Sequence, residues 1–160
     1  MFRDRRFWSI PLLVAMLLAP ALPATAADEG AAPQITLGNG SENRIEIDGM
    51  TRSGRDFTIP SVTLARAGWL VLHPFADGRP VGEIYAGATY VPAGTHENVV
   101  VRAQTVPEPQ EGTPFLVMLH SDPDDDETFD FVFVDERNVA DRAVFEGTTM
   151  VAHIFQSPAD

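Results

Sequence analysis

From Gln34 onward, hydrophobic and polar residues alternate in short runs broken by turn chemistry, and no segment holds a helical period over three turns. "QITL" and "RIEID" alternate with a period of two, as half-buried strands do, and "GNGSEN" between them is turn sequence. In "FTIPSVTL", Pro60 predicts an edge strand or a break, because proline donates nothing to a ladder. "GWLVLHPF" and "FLVMLH" are apolar on both faces, the pattern of strands at the centre of a sandwich. "ADGRP" places Asp77-Gly78 at a tight turn, "VGEIYAGATYVPAG" reads as a weak glycine-rich strand, and "THENVVVRA" as a strong β-branched one. "QTVPEPQEGTP" is a proline-rich surface connection. After an acidic turn, "TFDFVFV" alternates cleanly, "DERNVADRAVFEGTT" has room for a short helical turn, and "MVAHIF" closes the domain. The expectation is an all-β fold, an antiparallel β-sandwich of about 7–9 strands over residues 34–157.

The N-terminal part follows different rules. Arg3, Arg5 and Arg6 form a basic start, Phe7 to Leu22 is apolar, and Ala24-Thr25-Ala26 offers small residues for cleavage. These predict a secretory signal peptide over residues 1–26, with residues 27–33, "ADEGAAP", as a flexible leader. A spanning helix needs roughly 20 apolar residues, and Pro11, Pro20 and Pro23 interrupt this run. The protein is therefore expected to be exported, periplasmic or extracellular, with no membrane association after cleavage.

Charge and composition narrow the partners. The formal net charge is −12, and all 11 basic residues are Arg. Removing Arg3, Asp4, Arg5 and Arg6 with the signal takes it to about −14. Such a surface repels nucleic-acid phosphates and anionic lipid heads, and favours cations or basic partners. The absence of Cys removes thiolate nucleophiles, zinc–thiolate sites and disulfides, so the fold must rest on its core.

"SVTL" at Ser61, "GWLVLH" at Gly68, "VGEIYAGATYVPAGTHENVVV" at Val81 and "MLHSDPDDDETFDF" at Met118 resemble a family of domains of unknown function. Its members occur in exported and cell-surface proteins of halophilic archaea and also in bacteria. "AGTHENV" and the LHxD…FDF segment carry the specificity. The resemblance spans about Gln34 to Phe155 and implies an immunoglobulin-like module, often accessory within larger surface proteins, with no established activity.

The acidic turn is the leading candidate for chemistry. Asp122, Asp124, Asp126 and Asp130 recur at every second residue, and the Thr128 carbonyl can join them. Ca²⁺ takes six to eight oxygens, often from alternate residues of one loop. Relatives in the resembled family carry an Asp/Asn/Gly-rich loop here, which is calcium-like. This chain departs from a calcium loop where Gly is wanted at the sixth place, since Glu127 stands there; Pro123 stiffens the start, and Phe133 occupies the twelfth place. The competing reading is a solvated hairpin turn. A copper site is a further alternative. Met118 and His120 share a strand face, His153 closes the chain, and His73 is an adjunct. Met as core filler and His bonded to backbone are the plainer readings of those residues. "GTHEN" reads as a turn-to-strand motif in which Gly94 turns the chain and His96 and Asn98 share a face. No G-x-S-x-G, H-E-x-x-H or phosphate-binding Gly loop is present. The expected function is an exported, non-catalytic module engaging an unknown protein or envelope component, with Ca²⁺ as the candidate cofactor.

Overall fold

The computed structural model describes residues 34–130 and 141–160. The signal peptide and leader expected over 1–33 lie outside the described residues, as does the end of "TFDFVFV". Twelve strands and no helix occur among the described residues. They run β1 (Thr36–Gly38), β2 (Arg44–Glu46), β3 (Thr51–Ser53), β4 (Asp56–Leu64), β5 (Gly68–Ala76) and β6 (Arg79–Pro80). Then follow β7 (Gly87–Val91), β8 (Gly94–Arg102), β9 (Pro114–Ser121), β10 (Arg142–Ala143), β11 (Phe145–Glu146) and β12 (Thr149–Gln156). The count exceeds the expected 7–9 because β3, β6, β10 and β11 hold only two or three residues and show no period in sequence, whereas β1 and β2 fall on "QITL" and "RIEID" as expected.

Two sheets form an all-β sandwich. The larger has the order β1-β12-β9-β5-β6, with β7 also on β5, β10 on β9 and β11 on β12. The smaller centres on β4, which pairs β8 along nearly its whole length and β2 and β3 in turn. All pairings are antiparallel except β1 with β12, where the first strand runs parallel to the last. The Asp77-Gly78 turn joins β5 to β6 with both residues at positive φ, 51° and 77°, matching a tight hairpin that follows the strand twist.

Of the two expectations for Pro60, an edge strand or a break, the first is overturned and the second holds as a lapse in the ladder. β4 is central, not an edge. Its ladder with β8 passes from Ile59↔Val99 to Ser61↔Glu97, leaving Pro60 opposite Asn98 without pairing. Asn98 takes a left-handed φ of 54°. β2 and β3 divide the other pairings of β4 on either side of Pro60. The missing N–H thus falls where the ladder lapses. The inward phase also slips there: Phe57 and Ile59 are buried before it, Val62 and Leu64 after it.

The core lies between the sheets. Ile45, Phe57, Ile59, Val62, Leu64 and Val101 of the small sheet meet Leu70, Leu72, Phe115, Val117, Leu119 and Val151 of the large one. Phe57 stands edge-on to Phe115 and Phe155, with centroids 5.4 and 5.7 Å away. The outer face of the large sheet is buried as well. Trp69, Val71 and His73 on β5 stand opposite His120, Met118 and Leu116 on β9, all nine-tenths or more buried. This is why both strands read as continuous apolar runs.

Candidate functional site

β9 carries the chain from the core to the acidic turn. Its last residue, Ser121, pairs with Gly68 and Arg142, and Asp122 follows as the chain leaves the sheet. Asp122 is only 2% exposed. Its Oδ2 accepts the Glu127 backbone N–H at 3.1 Å, whereas its buried Oδ1 meets no donor among the described residues. Asp124 and Asp126 are exposed, and each brings a carboxylate oxygen within 4.8 Å of the others and of Asp122. Asp126 is fixed by the Thr128 N–H at 2.7 Å. Of the four aspartates singled out from sequence, three converge. Asp130 stands apart from that group and gives its N–H to the Asp141 carboxylate at 2.9 Å.

The convergence depends on two left-handed residues. Asp125 has φ 57° and Glu127 φ 55°. Glu127 occupies the sixth place, where a calcium loop wants Gly for its sharp turn. The backbone makes the bend regardless of the side chain, at a cost of roughly 1–2 kcal/mol for a residue with a Cβ. The apparent departure in sequence is therefore a departure in residue type and not in conformation.

Asp141 joins the cluster from 19 residues along the chain from Asp122 and was not visible to sequence reasoning. It is 4% exposed. Burial, with Asp122, Asp130 and Asp124 nearby, pushes its carboxyl up to about 6, against the lowering effect of the Asp130 N–H. Asp124 is raised too, by desolvation and then by Asp126 and Asp122. Tyr90 is raised by desolvation and by Glu127, Asp122 and Asp125. Carboxylates that raise one another's pKa, with a buried oxygen lacking a donor, form a set whose charge a cation would offset.

Phe129 anchors the far side of the turn. Its ring lies 5.0 Å from Tyr85, 5.3 Å from Trp69 and 5.5 Å from His120, centroid to centroid. The expected strand over "TFDFVFV" is not formed at Thr128, Phe129 or Asp130, where the chain is irregular.

The copper alternative divides between two faces. Met118 and His120 share the outer face of the large sheet. His153 pairs with Val117, on the opposite face, and its Nε2 lies 3.0 Å from Asn39 Oδ1. The structure does not bring His153 to Met118 and His120. It brings His73 to His120 instead, with Nε2 atoms 3.4 Å apart. His96 Nε2 contacts the Pro92 carbonyl at 3.0 Å, and Glu97 accepts a bond from Ser61 at 3.1 Å. "GTHEN" thus bonds the turn into β8, with Gly94 at φ 112°.

The fold and turn define an all-β sandwich module with a carboxylate-lined loop at the end of a central strand. Residues 43–155 match the model of a domain of unknown function, DUF7282, and the chain belongs to that family. No curated protein and no solved structure matches it.

Proposed function

We propose that this chain is an exported, non-catalytic β-sandwich module that engages an envelope component, and that its acidic turn takes up Ca²⁺. The observation that carries the cation reading is the convergence of Asp122, Asp124 and Asp126, with the Oδ1 of the buried Asp122 meeting no donor among the described residues. Three carboxylates supply a hard, all-oxygen set; backbone carbonyls and water complete the six to eight positions Ca²⁺ takes. Binding ties the end of β9 to the turn and relieves repulsion among the carboxylates, so the ion's role is to stiffen the loop that presents this end of the sandwich. The basic start, apolar run and small-residue site at residues 1–26 support export.

Calorimetry of the purified protein should show one Ca²⁺ bound per chain. Thermal stability should rise by about 2.7 kcal/mol when free Ca²⁺ stands at 100 times its Kd. Asp122→Asn should abolish that response while leaving a folded sandwich. A melting temperature indifferent to millimolar Ca²⁺ removes the cation reading. Export is tested separately: protein recovered from the periplasm or medium should begin at Ala27, and retention of Met1 in the cytoplasm would refute it.

A further inference from the structure

β1 is an edge of the large sheet. It pairs β12 on one side, and among the described residues no strand pairs it on the other. The Thr36 N–H donates to the Thr148 carbonyl at 3.0 Å, so the backbone of Thr36 is turned towards β12. Backbone groups alternate in direction along a strand, which turns the N–H and C=O of Ile35 and Leu37 outward to the open edge.

The side chains at this edge are apolar. Leu37 stands opposite Met150 from one side of β12 and Phe145 from the other, so the three share the outer face of the sheet. Ile154 lies on that face as well, four residues along β12 from Met150 and opposite Leu116. Ile35, just ahead of β1, is two residues before Leu37 and falls on the same side. Among the described residues, six large apolar side chains stand exposed, and four of them, Ile35, Leu37, Phe145 and Ile154, gather here, each 42% to 63% exposed.

Charge is absent from the same place. The formal net charge is −12 and 21% of the chain is charged, yet residues 34–41 and 147–159 hold no Asp, Glu, Arg or Lys. Other edges are guarded. β6 carries Arg79 and Pro80, β8 carries Glu97 and Arg102, and the Thr89 hydroxyl donates to the Val100 carbonyl at 2.8 Å. Charges and prolines of this kind keep further strands from adding to a sheet, and β1 has neither.

We propose that β1 is the docking edge for a second copy of this chain, the two strands running antiparallel about a twofold axis at Thr36. In that register Ile35 lies opposite the partner's Leu37, and Leu37 opposite the partner's Ile35. The outward N–H and C=O groups of each opposed pair exchange both hydrogen bonds, and Thr36 meets the partner's Thr36 in the closer pair between them. The contact is isologous: one patch must complement itself. A patch of carboxylates or guanidiniums opposes itself across such an axis, and an uncharged one does not. A basic partner finds no carboxylate here to meet, and an anionic lipid surface is repelled by the net charge. Ile35 and Leu37 of one copy come against those of the other on the outer face, which removes their exposed surface from water. This interface is independent of the Ca²⁺ reading of the acidic turn.

The test is sedimentation velocity of the purified protein in EDTA over a series of concentrations. A reversible monomer–dimer equilibrium is expected, tightening as NaCl is raised, since salt screens the repulsion between two acidic copies. Leu37→Glu should weaken dimerisation by more than ~100-fold, because the axis repeats both the lost burial and the added charge. Its thermal midpoint in dilute solution should stay that of the unaltered monomer, and Val100→Glu, at an exposed valine of the other sheet, should leave the dimer intact. The chain has no Cys, so Thr36→Cys places a single thiol at the axis; in an antiparallel pair the two Cα atoms there are about 4.5 Å apart, within disulfide reach. Mild oxidation should link that variant into dimers and leave Val100→Cys monomeric. A monomer at every concentration and salt, a dimer that Leu37→Glu spares or Val100→Glu abolishes, or a Thr36→Cys chain that does not cross-link would each overturn the proposal. A monomer that sediments with phosphatidylcholine vesicles would overturn it too, by giving the face to a lipid surface.

Discussion

Glu127→Gly isolates the conformational element of the acidic turn. Glu127 sits at φ 55°, its side chain is exposed, and its backbone N–H is held by Asp122 Oδ2. A residue with a Cβ in that region costs roughly 1–2 kcal/mol, which Gly avoids. Gly gives back about 0.5–1 kcal/mol through its greater freedom in the unfolded chain. The net expectation is a gain of about 0.5–1 kcal/mol, seen as a rise in Tm of roughly 2–4 °C. Removing the carboxylate also relieves repulsion from Asp122, Asp124 and Asp126. That contribution is measured by Glu127→Gln, which keeps the strain; it should be below about 1 kcal/mol and fade with salt. Glu127→Ala completes the set, since it loses the side chain but keeps the Cβ. Urea denaturation in EDTA should rank Gly above Ala, the reverse of the order found where φ is negative. If Ala proves the more stable, the backbone is not left-handed at this position, and the account of how the turn gathers its carboxylates fails.

Two further outcomes follow from the fold. Phe57→Ala, which empties the place where Phe57 meets Phe115 and Phe155 edge-on, should cost about 3–5 kcal/mol in denaturant unfolding; a cost below about 1 kcal/mol would mean the two sheets do not pack through this ring. Glu146 accepts bonds from the backbone N–H groups of Ser41, Glu42 and Asn43 and from the side chains of Ser41 and Asn43. Those bonds, the Ser41 and Asn43 side chains foremost, lower its carboxyl from 4.5 to about 2. The folded pKa lies below the unfolded one, so its stabilisation is complete above about pH 4.5 and is lost as pH falls towards about 2. Glu146→Gln should therefore lower Tm at pH 7 and make little difference near pH 2, and an equal loss at both values would refute the assignment.

The strands that could be read from sequence are those whose burial is regular. β5 and β9 show both faces apolar because each is covered on both sides, and the β-branched run of β8 is local chemistry. Asp77-Gly78 was legible because a tight turn demands positive φ from adjacent residues. The short strands β3, β6, β10 and β11 exist only because a longer neighbour supplies their hydrogen bonds, so no window of their own residues reveals them, whereas β1 and β2 show in the alternation of "QITL" and "RIEID". Pro60 left an edge strand and a break both open for the same reason: its cost depends on what lies across from it, and Asn98 with the gap between β2 and β3 lies there.

What the chain's order of residues settles by itself is periodicity, turn chemistry, charge and the presence of carboxylates two apart, since each is a property of neighbours in sequence. Tertiary structure alone decided that Asp141 joins Asp122, that Asp130 does not point with the other three, that His153 faces away from Met118, and that His73 meets His120 nitrogen to nitrogen. Those relations arise when strands pair across tens of residues. Hydrophobic pattern and a tight turn set register between strands joined in a hairpin, as at Asp77-Gly78, but which distant strands become neighbours is decided by the packing of the whole sandwich.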